Sequence, residues 1–218
     1  MTGTGTVADR PMVDQRMRLS GLAMIAGGAV MIAIWPIFTT LHGPTSVNEG
    51  NELLGFGPEL WSAMMEGPSL LLMAAGLFGS RRRFTENATR SARIGLVLSL
   101  FGLLIPGFAN LAVLAVWPPL LAPLLGTGLI MIAHGQRGGG AVSPVARRVL
   151  VGMGLTQIFA FSWFLVIRPD VLDQIAGYRI YGVVANVLFA LGWIVLGGMS
   201  PLAWWDFGVG PPWGEPPA

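Results

Sequence analysis

The sequence predicts an all-α integral membrane protein with six transmembrane helices and both termini in the cytoplasm. Three observations carry this expectation. Of 218 residues, 53% are hydrophobic and only 11% charged. Six apolar runs have the length of a bilayer crossing. The arginines fall on alternate connections between those runs. A soluble domain carries about 25% charged residues, so a chain this apolar cannot cover itself with charge in water. The formal net charge of +2 is too small to suggest nucleic acid, and the expected surroundings are a lipid bilayer. All 13 basic residues are Arg. That usage fits a GC-rich bacterial genome better than a demand for guanidinium chemistry.

Residues 1–18 are polar and glycine-rich, and read as a flexible cytoplasmic arm. The transmembrane domain follows over 19–200. Its first run, 19–40, has 22 residues without a charge. That is enough for a hydrocarbon core of about 30 Å at about 1.5 Å per residue. A signal-peptide core is shorter and ends at a small-residue cleavage site, so this helix is expected to be retained. The second run is 61–79, the third 94–117 and the fourth 118–134. The last two meet at Trp117-Pro118-Pro119, where tandem prolines suit a sharp reversal. The fifth run is 149–167 and the sixth about 180–199. Residues 201–218 form a Trp/Pro-rich tail.

Charge sets the orientation. The arm carries Arg10, Arg16 and Arg18. The second–third connection carries Arg81, Arg82, Arg83, Arg90 and Arg93. The fourth–fifth carries Arg137, Arg147 and Arg148. The other three connections hold only Arg168 and Arg179, which makes eleven against two. Basic residues stay on the cytoplasmic side, so the protein is expected in the cell inner (plasma) membrane, multi-pass, with both ends inside. The first outer loop adds Glu49, Glu52 and Glu59. Each odd run opens near an arginine and each even run closes near glycine. This pattern is open to reading as three repeated helical hairpins. The small-residue pairs Ala23/Gly27, Ala29/Ala33 and Ala75/Gly79 are expected to let helices approach closely.

Polar side chains at membrane depth are costly and usually face a bundle interior or a water-filled cavity. Glu66, Asn110 and Asn186 count to the outer half of their spans, Gln157 to the middle, and His134 to the inner end. Glu66, Asn110, Asn186 and Gln157 are therefore the candidate pocket for a small ligand, a cation or a partner's polar group. A second reading of Glu66 stays open. It precedes Gly67-Pro68, so it could cap the first turn of a helix beginning near Pro68, where the helix dipole favours a carboxylate. Gln157 and Ser162 are expected to bond a neighbouring helix, and His134 to be interfacial. In the tail, Trp204, Trp205 and Trp213 suit either the inner headgroup layer or contact with a neighbouring subunit.

With no Cys, disulfides, thiolate metal sites and cysteine nucleophiles are excluded. The two histidines, His42 and His134, fall near opposite faces, which argues against bis-histidine haem. No metal and no cofactor is expected. Gly152-Met153-Gly154 lies inside an apolar run and is no dinucleotide fingerprint. The composition points to a non-catalytic membrane protein, an accessory or scaffold subunit of a larger membrane complex that contacts other membrane subunits or copies of itself. The alternative is a carrier or ligand-binding protein with an outward-facing polar pocket. A lipid-modifying enzyme is the weakest reading, because the outer acids show no recognisable spacing.

Overall fold

The computed structural model describes residues 10–42, 52–115, 119–136, 142–166 and 183–200. The helices are Arg10–His42 (α1), Pro58–Gly79 (α2), Arg81–Thr85 (α3), Arg90–Val113 (α4), Ala122–His134 (α5), Pro144–Val166 (α6) and Phe189–Gly198 (α7). A 3-10 turn, Pro119–Leu121, leads into α5, and a π-helical stretch, Val183–Leu188, leads into α7. Among the described residues there is no strand, only isolated bridges at Leu53–Phe56 and Ala88–Gln136. Three helices are long and apolar enough to cross a membrane, over Gln15–Ile34, Leu60–Gly79 and Arg90–Val113. The apolar helices Pro119–His134 and Val184–Gly198 are shorter.

All six apolar runs fall on helix over most of their described parts. Helix starts differ from expectation, with α4 at Arg90 and α6 at Pro144 each beginning before its apolar run. Helix α1 begins at Arg10, inside the stretch read as an arm. Helix α2 begins at Pro58 and carries Pro68 in its interior, so Glu66 does not cap a helix starting at Pro68. A carbonyl one turn before a proline loses its amide donor. Apolar surroundings offer no water to replace helical hydrogen bonds, which keeps the remainder of the helix intact around such a proline.

The helices α1, α2, α4, α5, α6 and α7 close into a ring. Each packs on its neighbours in the chain, and α7 returns to pack on α1. Every adjacent pair is antiparallel, as the close approaches show. Gly27 lies against Ser69 and Met73 while Gly76 lies against Ser20 and Met24 (α1/α2). Gly67 lies against Gly107 and Leu111 while Gly107 touches Leu71 (α2/α4). Gly95 meets Gly128 while Gly102 meets Leu125 (α4/α5), and Gly126 meets Gly154 (α5/α6). Gly192 lies against Met153 (α7/α6), and Gly197 against Gly21 (α7/α1). An even number of alternating helices is what allows such a ring to close with antiparallel contacts throughout.

Glycine carries these crossings because the backbones nearly touch. A Cβ on Gly95 would sit 2.5 Å from the Gly128 carbonyl oxygen, and one on Gly126 would sit 2.5 Å from that of Gly154. Small residues at crossings are how apolar helices associate where lipid offers no hydrophobic contrast. Of the expected small pairs, Gly27 and Gly79 do pack on a neighbour. Ala29, Ala33 and Ala75 are exposed on the ring's outer surface instead. Spacing defines a face, but ring order decides which face meets a neighbour.

The interior is filled by Met24, Met73, Leu77, Leu103, Leu129, Leu150, Phe189 and Trp193. The outer surface is apolar on every long helix, with Leu22, Met64, Phe101, Leu155 and Leu191 exposed, and Leu120 exposed just before α5. The antiparallel order gathers nine of the described arginines, Arg16, Arg18, Arg81, Arg82, Arg83, Arg90, Arg93, Arg147 and Arg148, at one end. Arg137, Arg168 and Arg179 lie outside the described residues, as do Trp204, Trp205 and Trp213. At the arginine-bearing end the Ser200 Oγ donates to the Met17 carbonyl (3.1 Å), and Gln136 Nε2 donates to those of Phe84 (2.9 Å) and Ile132 (3.2 Å).

Candidate functional site

Depth can be counted from the arginine-bearing end. Glu66 is 13 residues before Gly79, Gln157 is 11 after Ala146, and Asn186 is 12 before Gly198. At about 1.5 Å per residue these three lie about 17–20 Å from that end. Asn110, 18 residues after Ala92, lies about 27 Å from it. All four therefore sit in the half of the ring remote from the arginines.

The four fall at two places in the ring. Glu66 and Asn110 flank the α2/α4 crossing, where Gly67 and Gly107 let the backbones meet. Each of those glycines has a proline beside it, Pro68 inside α2 and Pro106 inside α4. On the opposite arc, buried Gln157 donates from Nε2 to the Ala185 carbonyl, 3.3 Å away. Ala185 precedes Asn186 in the π-helical stretch. That stretch replaces the regular helical ladder, and such insertions are frequent at functional sites. Gln157 thus bonds a neighbouring helix as expected. Ser162 does not: it is exposed, and its Oγ donates to the Ile158 carbonyl of its own helix. His134 is exposed at the arginine-bearing end, with Nδ1 3.0 Å from the Ile130 carbonyl.

Glu66 belongs to the interior stripe of α2. Its stripe neighbours are Ala63 (0% exposed), Leu70 (6%), Met73 (0%) and Leu77 (0%). Glu66 itself is half-buried. Among the described residues no hydrogen bond or ion pair reaches its carboxylate. It is also the only charged residue within the apolar body of any described helix.

Two serines missed by sequence reasoning complete the polar stripe. Ser62, one turn from Glu66, is buried, and its Oγ has no hydrogen-bond partner among the described residues. Ser69 is fully buried and its Oγ donates to the Gly27 carbonyl at 2.7 Å. The spacing 62, 66, 69 is that of one helical face, and it was legible in the sequence. Asn110 is fully buried on the interior stripe of α4 with Leu96 and Leu103. Around the α2/α4 crossing the chain thus carries a carboxylate (Glu66), a hydroxyl (Ser62) and a carboxamide (Asn110). Among the described residues no cluster of three metal-ligating side chains occurs. No protein-family model, curated protein or solved structure matches the chain.

Proposed function

We propose that the chain is a multi-pass plasma-membrane protein that crosses the bilayer six times, arginine-bearing end inward, and binds a small polar or cationic ligand from the outside without catalysis. The observation that carries the binding reading is Glu66, an ionisable residue on an otherwise buried interior stripe with no hydrogen-bond or ion-pair partner among the described residues. An ionisable group at membrane depth is expensive unless it is paired or meets water or ligand. Its place in the half away from the arginines is what favours an outward orientation in this reading. The six-crossing reading is supported by the closed antiparallel ring and by the collection of nine arginines at one end.

The native chain has no cysteine, which makes single-cysteine variants a clean test. Glu66→Cys is expected to react with a small, charged, membrane-impermeant thiol reagent added from outside. Leu70→Cys, one turn deeper on the same stripe, is expected to stay protected. Failure of Glu66→Cys to react under conditions where an outer-loop cysteine does would remove the outward pocket.

A second reading, an accessory or scaffold subunit, is favoured by Trp204, Trp205 and Trp213 in the tail. Aromatic residues of this kind are enriched at interaction surfaces. It requires another membrane polypeptide, or a second copy of this chain, to purify with the native protein in mild detergent. Isolation as a lone monomer would count against it.

A further inference from the structure

We propose that the arginine-bearing end of α4 holds an anionic glycerophospholipid, with its phosphate between Arg90 and Arg93 and an acyl chain along the outward face of the same helix. The inference is separate from the Glu66 pocket, and rests on the six-crossing reading only in placing this end at the inner headgroup layer.

A groove of about 750 Å³ is lined by Ala88, Arg90, Arg93, Ile94, Val97 and Leu98. Both guanidinium groups belong to exposed residues, and neither has an ion-pair partner among the described residues. The preceding segment adds Arg81, Arg82 and Arg83 against a single carboxylate, Glu86. Of these, Arg81 is already engaged, bonded to the Phe78 carbonyl at 3.3 Å and stacked 4.4 Å from the Phe78 ring centre. Arg83 is half-buried. Arg90 and Arg93 are thus the cations presented to the groove.

The rest of the groove wall is apolar and continues up the helix. Ile94, Val97, Phe101, Ile105 and Phe108 are 42%, 49%, 52%, 45% and 60% exposed. Their spacing of three and four residues puts them on one face. That face runs from the arginines for 14 residues, Ile94 to Phe108, or about 21 Å at helical rise, more than the ~15 Å of hydrocarbon in one leaflet that an acyl chain follows. A cationic mouth continuous with an apolar track is complementary to a lipid with a charged head. A soluble phosphate would leave the track uncovered. Basic pockets beside transmembrane helices on the cytoplasmic side commonly take anionic headgroups in this way.

The test uses the full chain purified in mild detergent. Titration with phosphatidylglycerol is followed by native mass spectrometry and by thermal unfolding, beside phosphatidylcholine and glycerol phosphate. Phosphatidylglycerol is expected to stay bound and raise the unfolding temperature, and the other two to do neither. The double variant Arg90→Gln/Arg93→Gln is expected to weaken that binding on the order of 30-fold, from two surface guanidinium contributions. Arg148→Gln, an exposed arginine at the same end, is expected to leave it unchanged. Equal binding of phosphatidylcholine, an equal response to glycerol phosphate, or undiminished binding by the double variant would each overturn the proposal. All three substitutions are at solvent-reachable positions, and thermal unfolding without lipid checks that each variant folds.

Discussion

Replacing Gly128 by alanine is expected to force α4 and α5 apart and to destabilise the protein by about 1–3 kcal/mol, the usual cost of overpacking a filled interior. The Cβ would arrive 2.5 Å from the Ser99 Oγ, 2.6 Å from the Gly95 carbonyl oxygen and 2.7 Å from the Ser99 amide. Two of these are backbone atoms, which cannot rotate away as a side-chain end can. Ser99 is fully buried, so its hydroxyl has little room to move. Relief therefore requires moving a whole helix, and in a closed ring that motion disturbs the next interface, where Gly126 meets Gly154. Gly152→Ala supplies the control, because nothing lies within 4 Å of a Cβ there. Alanine is also the better helix former, by about 1 kcal/mol. Thermal unfolding in detergent should show Gly128→Ala well below the native protein and Gly152→Ala at or above it. Equal behaviour of the two variants would mean that the α4/α5 approach is not as close as described.

Trp193→Ala is expected to cost about 3 kcal/mol, the lower end of the range for deleting a buried aromatic side chain. Trp193 is fully buried and meets Phe189 edge-to-face, with ring centres 6.0 Å apart. Together with Leu196 it fills the ring interior from α7. In lipid the unfolded helices remain in an apolar medium, so the transfer term is small, and the loss comes from packing and the cavity left behind. The indole N–H has no acceptor among the described residues. An orphaned donor is itself unfavourable, so Trp193→Phe should cost markedly less than Trp193→Ala. A chemical-unfolding series in one detergent checks the order. A Phe variant as damaged as the Ala variant would point to an indole hydrogen bond that matters.

The helical class, the six apolar runs and the collection of arginines at one end were legible because each depends on composition along a single segment. Interhelical detail was less so. Ala29 and Ala33 have the spacing of a packing pair, yet both face outward, since neighbour order belongs to the ring and not to the run. Glu66 read first as a cap because Gly67-Pro68 resembles a helix start. The helix instead passes through Pro68, as apolar surroundings permit. The π-helical stretch at Val183–Leu188 carries no sequence signal of its own. It puts Asn186 next to the carbonyl that Gln157 bonds, a pairing visible only once α6 and α7 are side by side. Ser62 and Ser69 could have been found by extending the Glu66 face one turn each way.

Sidedness underlies the proposed pocket and its orientation, and cysteine labelling measures it directly. Leu54→Cys lies in the short turn before α2, where Leu54 is 80% exposed, and Glu86→Cys lies in the exposed turn between α3 and α4. In intact cells an impermeant thiol reagent should modify the cysteine at 54 and spare the one at 86, which should react only after the membrane is opened. Labelling of both positions from the same side, or of position 86 alone from outside, would contradict the threading on which the outward-facing site depends.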